Sequence, residues 1–139
     1  MELKMDANAL NALMQKEFPQ VAADYIVEGV APMEVTVRLP VADRHLRPGG
    51  TISGPTMFSL ADVSMYLATM AMIGPVTLAV TTNCSIDFMR KPAAGVDLIA
   101  TGRLLKLGRV LAVGDVLIHS EGTIAPVARA SLTYAIPPK

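Results

Sequence analysis

One segment of the sequence, from Thr56 to Ile73, is apolar on nearly every side of a helix. Pro55 stands just before it, at a position where its missing N–H costs nothing, and Gly74-Pro75 stops it. A helix that is apolar all round has to be buried rather than laid on a surface. The segment therefore predicts a central helix that one sheet could not cover alone, so that a second subunit would complete its burial.

The sequence on both sides of this helix has the period of two that half-buried strands show. Residues 24–30 and 33–39 come first and are joined at Ala31-Pro32. Four further β-rich runs follow the helix: 76–88, 98–107, 109–120 and 124–136. Residues 6–17 have the spacing of a short helix, which Asp6 or Asn8 would cap. Short turns between strands favour an antiparallel sheet, so the predicted class is α+β.

The composition limits the kind of protein this is. A length of 139 residues suits one domain, expected over residues 1–139 with 1–19 as an N-terminal helical segment. Twelve basic and twelve acidic residues leave no footprint for nucleic acid or anionic lipid. An apolar fraction of 52% without net charge favours a homo-oligomer. A single cysteine and no signal-peptide pattern lead us to expect a cytoplasmic protein.

Asp62 is the only charged residue between Arg47 and Asp87. A carboxylate on a buried helix is costly unless it is paired, solvated in a cleft or neutralised. A mid-bilayer carboxylate is also costly, which argues against a membrane span. Asp62 is therefore either a structural acid bonded to a nearby N–H or hydroxyl, or a functional acid in a cleft.

The turn before the helix carries three glycines, Gly49, Gly50 and Gly54. A helix N-terminus presents unpaired N–H groups and a partial positive charge, which could stabilise the oxyanion formed when a carbonyl is attacked. The alternative is a plain tight turn with a cap. Asp62 lies about two helical turns, or ~10 Å, from that N-terminus. Two antiparallel helices of a dimer could bring the acid of one subunit to the N-terminus of the other.

Other nucleophiles and ligands are weakly indicated. Ser53 lacks the glycine pattern of a nucleophile elbow. His45 and His119 are two distant histidines, and we expect structural roles for both and no metal site. Cys84 lies in a predicted strand and is expected to be a small core residue. The helix methionines and Tyr66 are expected in the core, although they could also form an adaptable wall for an acyl chain.

The segment from Arg47 to Pro55, Arg-Pro-Gly-Gly-Thr-Ile-Ser-Gly-Pro, followed by Leu-Ala-Asp at residues 60–62, resembles the signature of PaaI-type hotdog thioesterases. Residues 87–92 are similar to the stretch that closes the third strand of that family. The resemblance covers roughly residues 20–136. It implies a hotdog fold, with an antiparallel sheet wrapped around one long helix, assembled into dimers and often tetramers. It also implies hydrolysis of an acyl-CoA substrate without a metal or redox cofactor, CoA being part of the substrate.

The resemblance also implies roles for individual residues. Asp62 matches the catalytic acid, as general base or nucleophile, and Gly54 matches the glycine whose N–H faces the thioester oxygen. Thr81 falls about where the family positions water, and Thr82 is close enough to compete. The substrate-binding candidates are Arg47, Ser53, Thr82, Arg90, Lys91 and Arg109. The last three are candidates for the CoA phosphates, with ordinary solvated charge as the alternative.

Two positions depart from the family pattern: Arg47 stands where an Asn is usual, and Ser53 where a His is usual. They motivate a second hypothesis, a non-catalytic acyl-CoA binding hotdog protein. A hotdog hydratase or dehydratase is a third, although Ser53 stands where its histidine would help. For the thioesterase, aryl- and medium-chain acyl-CoA are the substrates to consider.

Overall fold

The computed structural model describes residues 2–138 as a six-stranded antiparallel sheet wrapped around one long helix. This is the hotdog arrangement that the resemblance implies. The sheet order is β1-β2-β4-β5-β6-β3. The elements are α1 (Ala7–Glu17), β1 (Ile26–Ala31), β2 (Glu34–Leu39), α2 (Gly54–Ile73), β3 (Val80–Phe88), β4 (Leu98–Leu107), β5 (Leu111–Ser120) and β6 (Ala128–Ala135).

Helix α2 begins earlier than the sequence predicts. Ser53 is its N-cap, and the Ser53 hydroxyl accepts a hydrogen bond from the Thr56 N–H. Gly54 is therefore the first helical residue and Pro55 the second. By length and composition α2 could cross a membrane, but 67% of its most apolar window is buried inside the fold, as in the core helix of a folded domain.

The core lies between α2 and the concave face of the sheet. The helix contributes fully buried leucines and methionines, and alternate residues of the central strands meet them. The largest of these side chains are Leu60, Met65, Leu67 and Met70 on α2 and Val37, Leu39, Leu98, Ile118 and Leu132 on the sheet. The prediction of a central, buried helix is confirmed.

Several predicted strand boundaries are wrong, each for a local reason. Met33 has φ 67° and lies in the β1–β2 turn, so it is not the first residue of the second strand. Strand β3 begins at Val80, because residues 76–79 form a turn closed by the Ala79 N–H and the Val76 carbonyl. Strand β6 begins at Ala128, after a turn in which Ile124 is 96% exposed. Strand β4 has the predicted boundaries.

The two edges of the sheet differ. Edge strand β1 is covered by α1, where Asn11 binds the N–H and the carbonyl of Val27 at 2.9 and 3.1 Å. Edge strand β3 pairs with β6 on one side, and no hydrogen bond covers its other side within residues 2–138. Val80 and Phe88, at the two ends of β3, are 57% and 51% exposed. An open, partly apolar edge strand is the usual template for pairing with another chain.

Candidate active site

Asp62 is half-buried, not buried as the helix pattern alone suggests. Its Oδ1 accepts two hydrogen bonds, from the hydroxyl of Thr81 at 2.6 Å and from the hydroxyl of Tyr134 at 2.7 Å. Its Oδ2 has no partner within the described residues. Among the described residues, the only fully buried side-chain N or O atom that makes no hydrogen bond is His45 Nε2, so Asp62 Oδ2 retains solvent access. Oδ1 is thus held by two hydrogen bonds, whereas Oδ2 makes none and is open to solvent.

A β-bulge determines which threonine reaches the acid. The register of β3 against β6 shifts between Thr81 and Asn83, which makes Thr82 the extra residue. Cys84 and Ile86 point towards the helix, and plain alternation would place Thr82 on the same face. The bulge puts Thr81 there instead, while Thr82 is exposed and donates to the Thr133 carbonyl at 3.3 Å. Such bulges often redirect a side chain near a functional site.

A cavity of about 420 Å³ lies beside Asp62, and we call it the acid chamber. Its walls are Met14, Phe18, Val21, Asp62, Val63, Tyr66, Thr77, Ala79, Val80, Thr81 and Tyr134. Phe18 meets Tyr66 edge-on with ring centroids 5.6 Å apart, and Tyr66 lies 6.0 Å from Tyr134. A mostly apolar chamber of this size with a few polar groups has the character of a small-ligand site.

Two titratable groups near Asp62, the Tyr134 hydroxyl and the Cys84 thiol, stay protonated. Burial, with the charge of Asp62 adding to it, raises the pKa of Tyr134 well above its usual value. Burial and the same charge raise the pKa of the Cys84 thiol. The Tyr134 hydroxyl therefore remains a donor. Cys84 stays a neutral thiol, in keeping with its predicted role as a small strand residue.

The N-terminus of α2 offers one free donor. The Ser53 N–H donates to the His45 carbonyl, Pro55 has no N–H, and the Thr56 N–H donates to the Ser53 side chain. Within the described part of the chain, the Gly54 N–H has no acceptor. Gly54 also packs on Phe88, since a Cβ at Gly54 would lie 3.4 Å from the Phe88 ring.

Gly54 lies in a second cavity, of about 340 Å³, which we call the donor cleft. It brings together four predicted site residues: Arg47, Gly54, Arg90 and Lys91. Its other walls are Thr51, Ile52, Met57, Phe88, Met89 and Pro92. The Arg90 guanidinium donates to the Pro126 carbonyl. The donor cleft thus has a free N–H and three cations but no acid.

The predicted site residues therefore form two groups in one chain. Asp62 and Thr81 lie in the acid chamber and not in the donor cleft. Eight residues of α2 separate Gly54 from Asp62, a rise of about 12 Å. Ser53 is used as the helix cap. Arg109 lies in the turn between β4 and β5, at the end of the sheet that carries Thr81.

The histidines contribute to neither cavity. His45 is buried in a short 3₁₀ turn, where its Nδ1 accepts from the Ala42 N–H and its Nε2 lies 3.2 Å from Asp24 Oδ1. His119 is half-buried on β5 beside the Ser120 carbonyl. Among residues 2–138 no group of three His, Cys, Asp or Glu side chains could hold a metal ion.

Sequence reasoning missed two residues at the acid. The sequence does not single out either residue: Tyr134 falls within the predicted last strand, 124–136, and Phe18 within the N-terminal segment, 1–19. One signal could have found Tyr134. A tyrosine hydroxyl on the strand face that packs against the helix needs a hydrogen-bond partner there. The helix methionines and Tyr66 lie in the core, as expected. Met57 also lines the donor cleft, and Tyr66 lines the acid chamber together with Met14 of α1.

Together the fold and the site define a class of protein: a hotdog domain whose central helix carries one acid beside an open sheet edge. Residues 49–127 match the family model described as the Thioesterase superfamily, and the chain belongs to that family. The match includes Gly54, Asp62 and Thr81 but ends before Tyr134 and begins after Phe18.

Three known proteins illustrate the relationship. A crystal structure of a candidate thioesterase from Silicibacter sp. TM1040 is 56% identical, with a TM-score of 0.93 over 99% of this chain and 96% of that one. A mutant of the phenylacetic acid degradation protein PaaI from Thermus thermophilus is 32% identical, with a TM-score of 0.73 over 86% and 99%. Human acyl-coenzyme A thioesterase 13 is 26% identical over 110 residues, 78% of this chain and 76% of the relative. The resemblance to PaaI-type thioesterases is confirmed, and the chain is a hydrolase of the thioesterase class.

Proposed function

We propose that this protein hydrolyses an acyl-CoA thioester to the free acid and CoA, with Asp62 as the reacting acid. The observation that carries the proposal is the asymmetry of the Asp62 carboxylate. Two hydroxyls hold Oδ1, and Oδ2 is left without a partner beside the acid chamber. The human relative, an acyl-coenzyme A thioesterase by name, supports the choice of substrate class.

Two routes fit a free carboxylate oxygen. As a general base, Asp62 Oδ2 takes a proton from water, the water oxygen bonds to the thioester carbon, the C–S bond breaks, and the thiolate receives the proton. As a nucleophile, Oδ2 bonds to that carbon and expels the CoA thiolate, and water then hydrolyses the mixed anhydride. Both routes create negative charge on the carbonyl oxygen, so both need a hydrogen-bond donor there.

The donor in this proposal is the Gly54 N–H of a partner subunit. Within one chain the acid and this N–H are about 12 Å apart along α2. If the open edges of two β3 strands pair antiparallel about a two-fold axis, the Thr81 end of one strand meets the Phe88 end of the other. Asp62 lies against Thr81, and Gly54 packs on Phe88. Each acid would then face Gly54 of the partner subunit, giving two shared sites per dimer.

The same pairing supports a place for CoA. The donor cleft contributes Arg47, Arg90 and Lys91, and Arg109 stands at the opposite end of the sheet in the other subunit. The dimer would place Arg47, Arg90 and Lys91 beside the shared site, with Arg109 further along the partner's sheet, since β5 and β6 separate the β4–β5 turn from β3. These cations can attract the CoA phosphates. The tetramer implied by the resemblance stays a prediction.

The acyl group is assigned to the acid chamber. Phe18 and Tyr66 supply aromatic faces, and Met14 and Val63 supply aliphatic ones. An aryl or medium-chain acyl group would bury apolar surface there, at roughly 25 cal/mol per Å². CoA itself would stay outside, towards the cations of the donor cleft.

The test is a panel of aryl- and aliphatic-CoA thioesters with thiol release as the readout. We expect Asp62→Asn and Asp62→Ala to keep the fold and the oligomer but to lose roughly 10³-fold or more in kcat, within the range for a general acid or base. Size-exclusion chromatography and thermal unfolding serve as controls for assembly and folding. Unchanged turnover in either variant would exclude Asp62 as the reacting group.

The same panel separates the alternatives. A non-catalytic binding protein would show affinity for acyl-CoA without thiol release. A hydratase would consume an enoyl-CoA without releasing thiol. Arg47 and Ser53, which stand where the family usually has Asn and His, motivate the binding protein. For the hydratase Ser53 is a counter-argument, because it replaces the histidine that would help and serves here as the helix cap.

A further inference from the structure

We propose that Tyr134 is a positioning residue: together with Thr81 it anchors Asp62 Oδ1, so that Oδ2 is the one oxygen that reacts. The inference rests on the proposed function, since it requires Asp62 to be the reacting group. Tyr134 lies beyond residues 49–127, so the match to the family model does not include it.

The geometry places two donors on one atom. The Thr81 and Tyr134 hydroxyls lie 2.6 and 2.7 Å from Asp62 Oδ1. A tyrosine hydroxyl has one hydrogen to donate, and a carboxylate oxygen is a stronger acceptor than a carbonyl. The Tyr134 oxygen also lies 3.0 Å from the Asp62 carbonyl, which keeps it over the turn of α2 that carries the acid.

The anchor matters because an aspartate carboxylate is otherwise loosely oriented. Its χ2 torsion is broad and roughly two-fold, so Oδ1 and Oδ2 can exchange by rotation. Two hydrogen bonds to a single oxygen favour one orientation. A displacement of about 1 Å at a reacting group can cost ~10²-fold in rate, so this orientation is worth a measurable part of kcat.

Tyr134 is itself held firmly. The β3–β6 register pairs it directly with Thr81, so both anchoring hydroxyls come from neighbouring positions of one sheet. Its side chain is almost fully buried, and its ring packs against Tyr66, which in turn contacts Phe18. Burial and the Asp62 charge raise the pKa of Tyr134, so its hydroxyl stays protonated and continues to donate.

The first test is Tyr134→Phe, which keeps the ring and removes the hydroxyl. We expect kcat to fall about 10- to 100-fold with KM within about two-fold, because orientation of the acid is lost and substrate contacts are kept. Thr69→Val is the control, since it also removes one buried hydroxyl, which donates to the Met65 carbonyl, and Thr69 lines neither cavity. We expect wild-type kcat and KM for Thr69→Val.

The second test removes the other donor. Thr81→Val should lower kcat, Thr81→Ser should restore most of it, and the double variant Thr81→Val with Tyr134→Phe should lose more than either single variant. The two Thr81 single variants remain available should Tyr134→Phe fail to fold. A wild-type kcat for Thr81→Val would then overturn the two-hydroxyl anchor.

The results for Asp62→Asn and Tyr134→Phe distinguish a failure of the anchor from a failure of the proposed function. If Asp62→Asn is inactive while Tyr134→Phe keeps wild-type kcat, the anchor is wrong and the proposed function stands. If Asp62→Asn turns over normally, the proposed function fails and the anchor fails with it. A rise in KM alone for Tyr134→Phe, or an equal loss of kcat in Thr69→Val, would also overturn the anchor, because the first indicates a binding role and the second a general packing role.

Discussion

The two ends of strand β3 lie beside different chemical groups. At the Thr81 end an acid is held by two hydroxyls beside an aromatic, mostly apolar chamber. At the Phe88 end a free Gly54 N–H lies among three cations, next to exposed apolar side chains. Among the residues that line the two cavities, the first end has an acid but no free helix N-terminal N–H, and the second has such an N–H but no acid.

This difference gives the exposed edge of β3 a functional meaning. A sheet edge left open is a liability unless something covers it. The other edge, at β1, packs against α1, and Asn11 of that helix bonds the N–H and the carbonyl of Val27. Antiparallel pairing at β3 would both cover the open edge and join the two incomplete ends. The predictions that follow test whether the ends are parts of one site.

The largest expected effect concerns the donor. Gly54→Pro removes the N–H at the first helical position, where proline is well tolerated, and should lower kcat by ~10²–10³-fold, the usual loss for one oxyanion donor. Gly54→Ala is the matched control, because it adds bulk against Phe88 at 3.4 Å but keeps the N–H. Equal losses in the two variants would attribute the effect to crowding at Phe88 and contradict the assigned donor.

The same variant tests whether the two ends meet across subunits. Asp62→Asn and Gly54→Pro, each nearly inactive alone, would form mixed dimers in which one site has both an intact acid and an intact donor. After random exchange of two-fold dimers, about a quarter of wild-type activity should return. No recovery in a mixture shown to contain heterodimers would place acid and donor of each site in the same chain.

The parts of this comparison that could be predicted from sequence are those with strong local patterns. The run from Thr56 to Ile73 predicts a buried helix. Strand β4 is predicted at its observed boundaries, with Gly108 just after its end, although its register against β5 shifts between Leu104 and Lys106. Asp62 was recognisable because no other charge lies near it in the sequence. The shared site could be inferred from the distance along the helix and the family resemblance, and it remains a proposal.

What could not be predicted depends on contacts between distant segments. Alternation back from Cys84 favours Thr82, and only the bulge, a property of the β3–β6 pairing, turns Thr81 towards the acid. Tyr134 reaches Asp62 because β6 lies between β5 and β3, an order that periodicity does not reveal. Phe18 comes from a segment outside the family match, so neither the resemblance nor a local pattern linked it to the site.

A smaller effect is expected at the wall of the acid chamber. Phe18→Ala removes the ring that the end of α1 contributes and should shift the preference of kcat/KM towards bulkier acyl groups by about 10-fold, as for other changes in apolar pockets. Gln15→Ala, an exposed position on the same helix, is the control. If the relative kcat/KM values for different acyl groups stay unchanged in Phe18→Ala, the acyl group lies elsewhere.

The smallest effect is expected from the cations of the donor cleft. Lys91 lines this cleft and is exposed, so its attraction for a phosphate is weakened by water. Lys91→Ala should raise KM for an acyl-CoA by roughly 2- to 5-fold, the scale of an exposed ion pair, and the effect should shrink as salt is added. A thioester that lacks the nucleotide phosphates should show no change. Lys106→Ala, an exposed lysine on β4 that does not line the cleft, controls for net charge. An equal rise in KM for both variants, or for both substrates, would remove Lys91 from the CoA site and leave Arg47 and Arg90 as the cations beside the Gly54 N–H.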